Sequence, residues 1–405
     1  GVLPLCHVHL PLGKTLSHGA GLSNSVRGLY REVLEYYLNL GDPLCLDGST
    51  LVQKLLQHRD YDATFHFLND AEFPTKRRWL FYLHESLPAE TVNEVQLRHL
   101  YDLYQSAELA DLPHNWDYLL KYLPLDSQVP AKVLKVLVKK SENEPRIAYT
   151  LDMLFNPYTE VVERLPGLFA EAHVLLKDAY LLAESTLQYN DYQGKVFNHL
   201  IDLNPTFIED YINWKYSNTE DGWLSSYDDR RDYSFIWARP DHQEIMDKII
   251  DCIFSHEQIL FPVNPYLGVF FKITEERGEI SNKIQQKQGN YLLQLIDERS
   301  DEANLMEYLF GVIAQFVPER RRQFVQRFLQ RNRNFEVFKR LPLETSFTVW
   351  GSAVPMLQRR FSDWESLLPF LNTIDLLQHR QYVKDRMQGL EAQIEQEMKN
   401  DFIED

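Results

Sequence analysis

Apolar residues recur along most of this chain with the spacing of one helical face. Between residues 25 and 210 the pattern breaks, at intervals of about ten to twenty residues, at a proline, a glycine or a short polar cluster. Residues 26–40 set Leu29, Tyr30, Val33, Leu34, Tyr37 and Leu38 on one side and stop at Gly41, which suits the left-handed turn that closes a helix. Ser49 is placed to cap a helix over 51–58, Asn115 one over 116–123, and Asn204 one that takes Pro205 as its first residue. Further helices are predicted over 77–86, 92–104, 131–140, 146–155 and 168–184. Toward the end, residues 320–329 bring Phe324, Val325 and Phe328 into one apolar stripe with arginines around it. Alternating, β-branched runs are scarce, so the predicted class is all-α. Many short helices on short turns either wrap one core or stack pairwise, and here no long connection returns a distant helix to a common centre. The reading is therefore an α-solenoid of degenerate hairpins, of the tetratricopeptide or HEAT kind, with no exact repeat legible.

Two segments interrupt the rhythm. Residues 213–242 are long for a connection and rich in rings: Trp214, Tyr216, Trp223, Tyr227, Tyr233, Phe235 and Trp237. Residues 341–355 contain Pro342, Gly351 and Pro355, which bar a continuous helix. Both are expected to face a partner. The organisation predicted is an N-terminal segment over 1–24, a first part of the array over 25–212, the aromatic insert over 213–242 and a second part over 243–405. Gly1 in place of an initiator methionine is what a fragment of a longer protein or a trimmed tag would show.

Composition narrows the classes. An apolar fraction of 44% and a charged fraction of 25% are those of a folded globular protein. A net charge of −17 repels a phosphate backbone at long range, so nucleic acid is not an expected partner. Three cysteines, Cys6, Cys45 and Cys252, are too few for a disulfide framework and fit a reducing cytoplasm. No apolar run reaches the length of a membrane helix, and the first residues lack the basic start of a signal peptide.

Motifs for chemistry stop short. Gly13, Lys14 and Thr15 end like a phosphate loop, but Val8 stands where its leading glycine belongs. Gly21, Leu22 and Ser23 begin like a nucleophile elbow, and Ser25 replaces its last glycine. Cys6, His7, His9 and His18 hold metal-ligand groups at no regular zinc spacing, and His256-Glu257 lacks the second histidine because Leu260 occupies it. Asp228-Asp229 and the acidic end over 395–405 are not assigned acid-base work. No enzyme, metal or cofactor is expected in this chain.

Binding residues are better represented. Arg320, Arg321, Arg322, Arg327, Arg331, Arg333, Lys339, Arg340, Arg359 and Arg360 make a basic ridge in an acidic chain. They either receive an acidic partner or form a solvated face balanced by acidic neighbours. Trp, Tyr and Arg dominate binding hot spots because each buries a large area and keeps a polar edge. The candidate partner-binding residues are accordingly Trp214, Trp223, Tyr227, Arg230, Arg231, Tyr233, Trp237, Arg320, Arg321, Arg327, Arg331 and Trp350.

Residues 335–394, FEVFKRLPLETSFTVWGSAVPMLQRRFSDWESLLPFLNTIDLLQHRQYVKDRMQGLEAQI, resemble the carboxy-terminal end of bacterial STAND NTPases of antiviral defence, the AVAST group. Residues 232–254, DYSFIWARPDHQEIMDKIIDCIF, are similar to a second block of that helical region. The resemblance implies a helical-repeat sensor that follows an effector and a nucleotide-binding motor and captures a phage protein such as the terminase large subunit or portal. Its own upstream NTPase domain and an oligomer formed on activation belong to the same expectation. The alternative, from another class, is a helical scaffold mediating oligomerisation or autoinhibition within a larger host protein.

Overall fold

The computed structural model describes residues 60–401 together with Val52 and Leu56, apart from 71–75, 188–189, 220–223, 225–228, 257–265, 273–278 and 345–351. Every regular element among them is an α-helix or a 3-10 turn, and no strand occurs. None of these helices is long and apolar enough to cross a membrane. The helix expected over 26–40 and the cap expected at Ser49 lie outside the described residues. The chain divides into two units, Gly1–Asn190 and Asp191–Asp405, so the expected boundaries at 212 and 242 both fall inside the second.

The first unit runs α1 (Tyr61–Asp70), α2 (Lys76–Ser86), α3 (Glu94–Ser106), α4 (Val129–Ser141), α5 (Ala148–Asp152), α6 (Glu160–Leu168) and α7 (His173–Leu187). Helix α3 starts where Asn93 accepts the backbone N–H groups of Val95 and Gln96 while the Gln96 side chain returns to the Asn93 N–H, a complete capping box. Pro130 opens α4, where its missing donor costs nothing. The inward stripes are fully buried: Leu100 on α3, Val133, Leu134 and Leu137 on α4, Leu176 and Tyr180 on α7. Each such side chain contributes about 1.5–3 kcal/mol. The helix expected over 146–155 is one right-handed run with tightened ends, 3-10 over Pro145–Ile147 and Met153–Phe155 around α5. Asn115 does accept the Asp117 N–H at 2.8 Å, but the element it introduces is a 3-10 turn, Asp117–Tyr122.

Two lysines tie the ends of earlier helices at a similar offset. Lys121 donates to the carbonyls of Glu85 and Leu87 at 2.9 and 2.7 Å, 36 and 34 residues back, at the end of α2. Lys140 does the same for Gln105 and Ala107 at the end of α3, 35 and 33 residues back. Both cations meet carbonyls that the helix leaves without an internal partner, at the negative end of its dipole.

The second unit runs α8 (Lys195–Leu203), α9 (Phe207–Ser217), α10 (Ser234–Ala238), α11 (His242–His256), α12 (Glu279–Arg299), α13 (Ala303–Phe316), α14 (Arg321–Arg331), α15 (Phe335–Arg340), α16 (Val354–Glu365) and α17 (Leu377–Asp401). Several neighbours pack in pairs, and five helices also meet the one two places on: α9 with α11, α10 with α12, α12 with α14, α13 with α15, α15 with α17. Asn332 reaches the Ser300 carbonyl at 2.7 Å, 32 residues back, at the end of α12. Helix α9 begins at Phe207, later than expected, because Asn204 is buried at the end of α8 and its N–H closes that helix instead. Gly194 opens α8 with φ 64°, and a Cβ there would lie 2.0 Å from the Phe235 ring, so both the backbone angle and the contact require glycine.

Candidate partner-recognition surfaces

The described aromatic residues from 229 to 237 turn inward. Asp229, with 3% of its surface exposed, is the centre of a buried knot. Tyr233 and Tyr266 donate their hydroxyls to its Oδ2 at 2.6 and 3.1 Å, and Lys215 Nζ lies 3.3 Å from the same oxygen. Its Oδ1 accepts the Arg231 N–H at 2.9 Å. The Arg231 guanidinium donates to the Tyr211 hydroxyl at 2.8 Å and to the Asp191 carbonyl at 3.3 Å, and sits over the rings of Phe197 and Tyr211. Asp191 in turn accepts the N–H groups of Val196 and Phe197, both at 3.0 Å, fixing the start of α8. Burial alone would push the Asp229 carboxyl up; Lys215 and Arg231 reverse this and hold it well below the usual carboxylate range. Trp237 is wholly buried on α10 and donates Nε1–H to the Phe270 carbonyl at 2.6 Å.

Arg231, Tyr233 and Trp237 are therefore not on a docking face, contrary to the expectation from their composition. A polar edge on a large rigid ring satisfies a buried network as readily as it meets a partner. Trp214 is half-buried and Arg230 exposed; Trp223 and Tyr227 lie outside the described residues.

The basic ridge is engaged within its own unit. Arg321 is buried and bonds Asp363 at 2.5 Å, so it too is internal rather than a partner contact. Arg320 lies over Gly289, whose missing side chain leaves the notch, and donates to the Gln323 side chain at 3.1 Å and the Gln285 carbonyl at 3.4 Å. Arg327 and Arg331 both grip Asp297 on α12, at 2.5 and 2.8 Å. Arg340 meets Glu307 on α13 at 2.5 Å, and Arg333 pairs with Asp375. The ridge is an interhelical clasp, in accord with its reading as a face balanced by acidic neighbours. Residues 341–344 are likewise built in: Leu341 and Leu343 are buried, and Glu344 collects Trp364 Nε1 at 2.9 Å and Arg386 at 2.6 Å. Trp350 lies outside the described residues, as do Cys6, His7, His9, His18 and the near-miss motifs around Lys14 and Ser23.

Exposure is found elsewhere. In the first unit Tyr158 is 94% and Tyr149 65% exposed. Tyr149 is off the stripe formed by Ile147, Leu151, Leu154 and Phe155, and Tyr158 follows an Asn-Pro turn whose Asn156 side chain accepts the Tyr158 N–H at 3.0 Å. The off-stripe position of one and the turn before the other are both visible in the sequence, but the aromatic density of 213–242 is the stronger compositional signal. In the second unit Ile374 is 88% and Leu377 56% exposed.

Comparison with family models, with curated proteins and with solved structures returns no match.

Proposed function

We propose that this chain is a non-catalytic recognition module, an α-solenoid of degenerate hairpins that holds a folded protein in the cytoplasm. The observation that carries the reading is the offset at which helices are tied: Lys121 and Lys140 reach back 33 to 36 residues. A 34-residue hairpin is the tetratricopeptide unit, and stacked hairpins offer an extended surface to a large target. The resemblance of 232–254 and 335–394 to the sensor end of antiphage STAND NTPases makes a phage protein, the terminase large subunit or portal, the proposed target. In that setting the upstream NTPase domain is the second partner, responding to capture. Contact falls to Tyr149 and Tyr158, which present rigid rings with polar tips to solvent.

Co-purification of the chain with a panel of terminases and portals tests the reading; a stable stoichiometric pair is expected, and failure with every member would sink it. Tyr158→Ala and Tyr149→Ala should each weaken such a pair by about 2 kcal/mol. Isothermal titration would register this, and unchanged affinity would remove both residues from the contact.

A further inference from the structure

Helix α17 carries two stripes. Val383 and Leu390 are buried on the side that packs against α15 and α16. On the outer side Leu377, Gln381, Lys384, Gln388, Glu391, Glu395 and Met398 succeed one another in alternating steps of four and three, and every one is exposed. That seven-residue period is the spacing of a seam between two helices. Its ends are apolar, with Leu377 56% and Met398 40% exposed, and Ile374 extends it into the preceding turn.

Charge divides along the same helix. Residues 377–388 hold three cations against one carboxylate, and residues 389–401 hold four carboxylates against one lysine. Among the described residues Arg380, Lys384, Glu391 and Glu395 make no ion pair. Two such helices side by side in parallel would set like charge against like; antiparallel, each basic half meets an acidic half.

We infer that α17 pairs antiparallel with α17 of a second copy of this chain, about a twofold axis near Gln388. That axis sets Lys384 opposite Glu391 and Leu377 beside Met398, each contact occurring twice. The seam is short and largely polar, so the dimer is weak and salt-sensitive, well below the area of a permanent interface. Such a dimer neither requires nor excludes the recognition function.

Sedimentation velocity of the whole chain, over a concentration series at low and high salt, tests it. A dimer that grows with concentration and recedes in salt is expected. Lys384→Glu should weaken it roughly tenfold, because the symmetry counts the loss twice, and adding Glu391→Lys should restore it. Under mild oxidation Gln388→Cys should cross-link two copies above the background of the native cysteines, whereas Gln393→Cys, on another side of the helix, should not. A monomer at every concentration in low salt overturns the inference and leaves the stripe to another partner. So does a dimer indifferent to Lys384→Glu, or one in which both cysteine variants cross-link equally.

Discussion

The insert around Asp229 and the clasp around Asp297 are built from the same residue types, arginine and aspartate, the first pair within one connecting segment and the second on neighbouring helices, and they differ in what surrounds them. Asp229 is buried, collects the hydroxyls of Tyr211, Tyr233 and Tyr266, a lysine and a backbone N–H, and is ringed by aromatic side chains. Asp297 receives Arg327 and Arg331 at the surface, where water competes for every group. Removing one member of a buried set leaves the others desolvated and unmatched; removing one member of an exposed pair returns its partner to solvent. One region fixes how α8 to α11 come together, and the other trims the fit between helices that packing already holds.

That contrast is sharpest at Asp229 itself. Asp229→Ala should cost about 3–5 kcal/mol or prevent folding, read from urea unfolding monitored by circular dichroism. A loss no larger than that of a surface pair would erase the distinction. The pH dependence has a definite sign: the folded carboxyl is held below its unfolded value, so its contribution is complete above about pH 4 and is lost as pH falls further. Asp229→Asn should remove that acid-dependent part from the curve. Next in size, Trp237→Phe deletes the donor to the Phe270 carbonyl and should cost about 1–3 kcal/mol. Lys140→Met, which strips two carbonyls of a cation at the end of α3, should cost about 1–2 kcal/mol and raise amide exchange locally. Glu85 runs opposite to Asp229: burial raises its carboxyl to about 7, so its share of stability is present below about pH 4 and lost as pH rises through 7. Glu85→Gln should flatten that decline near neutrality, and an unchanged slope would exclude it as the source. Smallest of all, Arg331→Ala should change stability by under about 0.5 kcal/mol, and less in high salt.

Helical class was legible wherever an apolar stripe was long: α3, α4 and α14 sit where periodicity put them, and α7 starts at His173 rather than at 168. Starts were less so. Asn204 reads as a cap in isolation, but tertiary packing gives it to the end of α8, whereas the Asn93 to Gln96 spacing carries a complete capping signature that fixes a start three residues apart in the sequence. Helix α6 was not predicted; it carries Pro166 in its last turn, where the loss of one bond is tolerated. The candidate surface was the least legible part. Composition marks Trp237 and Arg231 as contact-makers, and only coordinates tell whether the surface contacted belongs to a partner or to the rest of the same unit. The ridge was half readable, since the acids that pair with it are distant in sequence, some earlier and some later, and no local pattern announces them.

The glycine that opens α8 has a meaning for descent. Its hydrogen occupies the room that a methyl would need under the ring of Phe235, and its backbone angle excludes ordinary residues as well. Among related chains, loss of that glycine should coincide with a smaller residue at the ring's position and a re-angled first helix, so these two sites are expected to vary together or not at all.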